Sequence, residues 1–259
     1  MCYDIDLLKA RIARHMQRND STPRAILEAM AMLEKNWKGE PLFPVSGFEH
    51  PLLPLLVMDN ELIKVQELSW GFIPRHTANI KDAHLLRKQL LNARSETMLE
   101  KLSFKNSALQ KRCILPVAGY YEYHHKHNRV FPHYAFPTND LVFYMACIAE
   151  EWTDMHTGEI TNSFAICTCQ ANPLMARIHN NPKREGGRMP VMLEGDNLLR
   201  WLDMHITKDD ILKMCQPLDD SKMKVHSVRA YRGKAANTNP DLVNVAFHYP
   251  ELNEQRSLF

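Results

Sequence analysis

The chain of 259 residues predicts a single domain of mixed helix and strand. Three observations carry that expectation. The composition, 45% hydrophobic and 24% charged, is that of an ordinary globular chain, at a length that suits one large domain, residues 1–259. Near the N-terminus, apolar residues recur at helical spacing. Further on, apolar strand-like runs are separated by turn residues and short helical patterns.

Several classes are set aside at once. No run of about 18 apolar residues could span a bilayer. The N-terminus lacks the charged-then-apolar layout of a secretory signal, so a cytoplasmic protein with no membrane partner is expected. The six cysteines (Cys2, Cys113, Cys147, Cys167, Cys169, Cys215) show no CxxC spacing. Four of them lie in apolar strand-like runs, where a free cysteine behaves as a small buried hydrophobe. Neither structural zinc nor a disulfide framework is expected, and nothing asks for a cofactor.

The net charge of +2 announces no nucleic acid, but it is unevenly spread. From Arg75 to Arg112, nine Lys and Arg face three acids, and Lys222 to Lys234 holds five cations and no acid. Each run alone reads as solvated surface. Together on one groove they would track a phosphate backbone.

In chain order, Ile5, Leu8, Ile12 and Met16 recur at helical spacing, as do Ile26, Met30 and Leu33 after the Asp20-Ser21-Thr22-Pro23 break. They predict a helical cover over about residues 4–38, packed beside Cys2. Leu42 to Pro54 reads as an irregular, partly buried loop, and Asp59-Asn60 as a turn. Leu62 to Phe72 reads as strand and runs into Trp70-Gly71-Phe72-Ile73-Pro74. Trp70 has two readings there, a core anchor at a strand end or a platform that stacks a base.

A short amphipathic helix over 81–91 delivers the chain into Asn92-Ala93-Arg94-Ser95-Glu96-Thr97. On an extended segment Asn92 and Arg94 share a face and suit a phosphate or sugar oxygen. Alternatively, Ser95 or Thr97 caps a helix while Arg94 pairs with Glu96 or Glu100. Cys113 to Tyr123 reads as a core strand that places Tyr120, Glu122 and His124 on one face and Tyr121 and Tyr123 on the other. A carboxylate between aromatic rings suits proton transfer, while the plainer alternative is a surface Glu on an edge strand. His124, His125 and His127 fall in an expected hairpin loop, without the partners a metal needs.

Strands follow at Leu141 to Glu150 and Ser163 to Thr168. Asn172-Pro173 opens a short helix that must end near Pro182, with His179 in its last turn. Facing solvent, His179 would complement the helix dipole; facing a cleft, it could shuttle protons. A polar loop from Asn180 to Gly187 leads to Arg188, either a surface residue or an anion ligand. A strand at Met189 to Leu193, helices at Asn197 to Met204 and Asp209 to Gln216, and a strand at Met223 to Val228 complete the pattern.

Cys2 directly follows Met1. Aminopeptidases remove an initiator Met that precedes a small residue, so the mature chain is expected to begin with a cysteine bearing a free α-amine and a thiol. By position alone, Cys2 would be a frayed terminal residue.

Taken together, Cys2, Trp70-Gly71-Phe72-Ile73-Pro74, Asn92 to Thr97, Ala118 to Tyr123, Ile178-His179, Arg188-Met189-Pro190-Val191 and Val225-His226 resemble, in their order, the SRAP family. These SOS response-associated peptidase domain proteins sense abasic sites in DNA. The resemblance spans essentially the whole chain. It implies an α+β domain with a strongly curved, mostly antiparallel, barrel-like β-sheet flanked by helices, and a monomer whose cleft binds single-stranded DNA carrying an abasic site.

Residue by residue, the resemblance implies that Cys2 is the covalent nucleophile toward the abasic aldehyde, closing a thiazolidine. Asn92 would position the amine or sugar, Glu122 would relay protons, and His179 would assist sugar ring opening. Arg94 and Arg188 would hold phosphates, with Trp70 and Tyr123 as further DNA contacts. A thiol peptidase built on Cys2, a noncovalent single-strand binder and a lyase side reaction are the alternatives. Three features differ from many relatives. Cys2-Tyr3-Asp4 stands where Cys-Gly-Arg is frequent, and an acid there should repel phosphate. Arg75-His76-Thr77 replaces a Trp pair, and Tyr123 replaces a Trp.

Overall fold

The chain's first strand ties its N-terminus into a sheet. The computed structural model describes residues 2–6, 22–36, 44–139, 142–183, 186–232, 239 and 242–253. β1 (Asp4–Asp6) lies between β2 (Val45–Ser46) and a strand more than a hundred residues later, with all three of its residues buried. Ile5 therefore sits in a strand and does not begin a helix, because hydrogen-bonding partners on both edges fix it extended. The rest of that first helical pattern, Leu8 to Met16, lies outside the described residues. The second pattern forms α1 (Arg24–Asn36), which buries Ile26, Met30 and Leu33 and packs on β4.

The expected loop to Pro54 is shorter than its composition suggests. A 3-10 turn over Gly47–Glu49 ends at His50, and β3 (Leu52–Asp59) starts two residues later. Pro54 is tolerated in β3 because β6 joins that strand only at Leu56 and Val57. β3 turns through Asn60 and Glu61, both at positive φ (49° and 62°), into β4 (Leu62–Trp70). α2 (Ile80–Gln89), capped by Asn79, leads to β5 (Asn92–Arg94) and two short helices, α3 (Ser95–Met98) and α4 (Lys105–Gln110).

The long core strand expected from Cys113 to Tyr123 is two strands. β6 (Arg112–Val117) and β7 (Gly119–Lys126) break at Ala118, whose N–H donates to Asp6 O at 2.8 Å. At the break the chain leaves one sheet for the other. A side chain at Gly119 would lie 2.5 Å from Ala135 O and the Tyr134 ring, so the crossing needs glycine. β7 keeps His124 and His125 in the strand, and only His127 falls in the turn. β8 (Arg129–Pro137) returns beside it; Pro132 and Pro137 mask it in the sequence.

β9 (Phe143–Thr153) and β10 (Ile160–Gln170) complete a closed barrel. Its order is β10-β4-β3-β6-β9, and β9 pairs again with β10. All of these pairings are antiparallel except β4 with β10. β5 runs parallel to β10 past the end of β4. α5 (Pro173–Ile178) follows, then β11 (Arg188–Pro190) on β10 and β12 (Met192–Leu193) on β9. α6 (Asn197–Leu202) and α7 (Lys208–Met214) flank the barrel, and β13 (Met223–Ser227) ends the second sheet, of order β13-β8-β7-β1-β2. The architecture is α+β with a closed five-stranded barrel, as expected from the resemblance. Leu55, Ile114, Ala146, Ile148, Phe164 and Ile166 are among its fully buried core residues.

Candidate active site

Four segments far apart in sequence meet around Cys2: the start of β1, the first residue of β5, the middle of β7 and the end of α5. Asn92 opens β5, and its Nδ2 donates to the carbonyl of Cys2 at 2.9 Å. Its other amide atom, Oδ1, is buried without a hydrogen-bond partner among the described residues. That is a costly arrangement for a polar atom, and such atoms commonly mark function. The Tyr120 hydroxyl is buried and unpartnered in the same way.

Glu122 is buried in β7, where Oε1 accepts from the Tyr123 N–H at 3.2 Å. Its Oε2 lies 3.5 Å from His179 Nδ1, in ion-pair range and beyond a direct hydrogen bond. His179 is the C-cap of α5, whose start is fixed by Asn172 Oδ1 accepting from Met175 N at 2.8 Å. Its Nδ1 also meets Arg188 O at 2.9 Å, so the backbone of the first residue of β11 orients the ring. His179 is buried and lines the cleft instead of facing solvent.

Cys2 itself is fully buried, with Sγ 3.8 Å from Asp4 O. Burial pushes its thiol well above the ordinary value, and the nearby carboxylates of Glu122 and Asp4 push the same way. Beside it opens a cleft of about 400 Å³, lined by Tyr3, Asp4, Phe48, Glu122, His179 and Arg232 among others. A larger hollow between α1 and the β3–β4 hairpin, about 770 Å³, holds none of the site residues.

Two of the expected contacts have other duties. Trp70 is fully buried, donates from Nε1 to Leu91 O at 3.0 Å and stacks on Phe164, so it anchors the core and offers no face to a base. Arg188 forms a fork to Glu96, 2.9 Å from NH1 to Oε1 and 2.9 Å from NH2 to Oε2, and also reaches Thr168 O at 2.6 Å. Its guanidinium is spent on the barrel wall and is not free for a phosphate. Arg94 does stand exposed at the end of β5, two residues from Asn92.

Several cations of the basic runs are taken by partners within the protein. Arg87 holds the Ser69 hydroxyl, Arg112 binds Trp201 O at 2.7 Å and Ala108 O at 2.8 Å, and Lys222 pairs with Glu194 at 2.6 Å. Lys234 lies outside the described residues.

Asp4 departs furthest from expectation. It does not face solvent as a free acid but is fully buried, and its Oδ1 accepts from Arg232. The hydroxyls of Tyr123 and Tyr231 both lie 3.2 Å from Oδ2 and 2.6 Å from each other. Tyr123 thus lines the cleft with its hydroxyl turned inward. Tyr231 and Arg232 escaped the sequence reading. Their position in the second basic run was the only signal, and nothing local says that they dock on a residue 228 positions earlier.

With this geometry in hand, a family model described as SOS response associated peptidase (SRAP) matches residues 13–234. The chain belongs to the SRAP family. Among curated SRAP relatives, the abasic site processing protein YoqW of Bacillus subtilis is 29% identical over 194 residues, covering 73% of this chain and 80% of that one. The abasic site processing protein HMCES of Xenopus tropicalis is 27% identical, covering 67% of this chain and 55% of its own. A solved structure from Bacteroides thetaiotaomicron superposes with a TM-score of 0.77 at 28% identity, covering 95% of this chain and all of that one. Another, from Bordetella bronchiseptica, shares the fold at a TM-score of 0.66 and 19% identity. This SRAP chain therefore shares its fold with that structure and buries Cys2.

Proposed function

We propose that, after removal of Met1, the chain captures abasic sites in single-stranded DNA as a covalent adduct of Cys2. The observation that carries this reading is the Asn92 amide gripping Cys2 by its carbonyl, with Oδ1 left unpartnered beside it. An α-amine on Cys2 would supply the donor that this oxygen lacks. The names of the relatives point to the same class of substrate.

The chemistry follows from what burial does to each group. A thiol pushed up in pKa is a poor first nucleophile, which counts against a peptidase that needs a thiolate. A terminal amine, with an ordinary pKa of about 7.7–8.0, is partly neutral near pH 7. Its lone pair adds to the aldehyde carbon of the opened sugar, and the carbinolamine loses water to give an iminium. The Cys2 sulfur then adds to that carbon while its proton leaves, and the ring closes as a thiazolidine. Aldehyde and aminothiol give one ring and one water. Glu122 carries protons to the departing hydroxyl and from the thiol, and His179 serves the ring oxygen of the sugar.

The test is denaturing electrophoresis of the protein with a single-stranded oligonucleotide carrying one abasic site, beside Cys2→Ala and an undamaged oligonucleotide. A denaturation-resistant adduct requiring both Cys2 and the lesion is expected, with a tryptic N-terminal peptide of thiazolidine mass. Absence of any adduct from protein proven to lack Met1 sinks the reading.

A further inference from the structure

The guanidinium among the residues that line the cleft belongs to Arg232, 228 positions after Asp4. Arg188 is tied to Glu96 and Thr168, whereas Arg232 lines the cleft beside Glu122 and His179. Its side chain is 47% exposed, while its partner Asp4 is fully buried. Only one of its terminal nitrogens, NH2, reaches Asp4; the other N–H donors make no hydrogen bond among the described residues. The head group also sits 5.8 Å from the centroid of the Tyr231 ring, which adds cation–π attraction on one side. A carboxylate below and a ring beside it hold one edge of a planar fork, leaving the other edge open to the cleft.

We infer that Arg232, positioned by Asp4 and Tyr231, is a phosphate-binding residue of this cleft, gripping the backbone next to the sugar that Cys2 attacks. The inference rests on the proposed function and deepens it. Asp4 changes meaning accordingly. An acid at the fourth residue would repel DNA if it stood alone, but here it is a socket for a cation. The Tyr123 and Tyr231 hydroxyls share its other oxygen, so the carboxylate cannot swing away to follow the guanidinium elsewhere. Pre-positioning removes the rotamer entropy that a free surface arginine loses on meeting a phosphate.

The two readings of Asp4 predict opposite signs, which makes the test sharp. Equilibrium binding would be measured for a single-stranded oligonucleotide bearing a tetrahydrofuran abasic analogue, which has no aldehyde and leaves Cys2 unreacted, across a series of KCl concentrations. Arg232→Gln is expected to bind about tenfold more weakly and to lose about 0.7 from the slope of log K against log salt, one phosphate contact on a single strand. Arg232→Lys should keep most of the slope, because the point charge survives. Asp4→Asn should weaken binding several-fold with the circular dichroism spectrum unchanged.

Tighter binding by Asp4→Asn, or an unchanged slope in Arg232→Gln, overturns the assignment while leaving covalent capture standing. Failure of the unsubstituted protein to bind the analogue, together with absence of an adduct on abasic DNA, removes the proposed function itself. Should Arg232→Gln fail to fold, the Lys and Asn variants still decide: normal slope with tighter Asn binding rejects the socket.

Discussion

Asn92 Nδ2 donates to the carbonyl oxygen of Cys2 across a sequence separation of 90, so the register of β5 beside β10 sets where the N-terminal residue sits. Asn92→Ala is expected to slow adduct formation by about 5- to 30-fold, the loss of one or two hydrogen bonds to the reacting residue. Single-turnover gel kinetics would check it. Asn92→Asp should be no rescue, because an acid cannot donate to the carbonyl.

Glu122 is buried against His179, and no other carboxylate that lines the cleft faces that imidazole as closely among the described residues. Glu122→Gln should keep the fold and lower the rate of capture by about a hundredfold or more, the usual size of a general acid or base contribution. A rate within a factor of three of the unsubstituted protein would remove Glu122 from the proton relay.

Arg188 is expected to report on stability and not on DNA. Its fork to Glu96 closes the end of β10 against α3, and the arginine side chain is 9% exposed against 43% for its partner. Removing the arginine leaves the Glu96 carboxylate and the Thr168 carbonyl without their donor, so Arg188→Met should cost roughly 1–2 kcal/mol by urea unfolding; the half-exposed carboxylate moderates the loss. The salt slope for DNA should not change.

Asp4 makes stability pH-dependent in an unusual direction. Burial pushes its carboxyl up from 3.8 to about 6, against the pull of Arg232. Between those values the folded protein holds the proton more tightly than the unfolded chain does. Its contribution is therefore greatest below pH 4 and declines as pH rises through 6, by roughly 3 kcal/mol at most. Asp4→Asn should remove that decline. The check is urea unfolding at a series of pH values, compared as the difference between the two proteins.

What the sequence disclosed follows the reach of its signals. Helix caps and turn residues are local, so α5 behind Asn172-Pro173 and the turn after Asp59 stand where their residues predict. Strand alternation correctly sorted Tyr120 and Glu122 from Tyr121 and Tyr123. β8 was missed because two prolines hide a strand whose pairing to β7 and β13 compensates for them. Ile5 fits a helical period, but pairing to Tyr120 overrode it, a contact no window of sequence contains. In the site, residue types suited to the chemistry were recognisable one at a time. Which arginine is free was not, because Glu96 claims Arg188 and Asp4 claims one edge of Arg232 only through the fold.

The seating of β1 has a consequence for biosynthesis. Pairing of Asp4–Asp6 with Gly119–Tyr121 leaves Cys2 with no exposed surface, so a trimming enzyme has its freest access to the Met1–Cys2 bond on the nascent chain, before that pairing forms. Ribosomes add about 5–20 residues per second, so the strand that covers the terminus takes about 6–24 seconds to be made. On the proposed reading, maturation of Cys2 is then a race between a processing enzyme and translation, and the yield of reactive protein is expected to depend on the speed of synthesis of its first half.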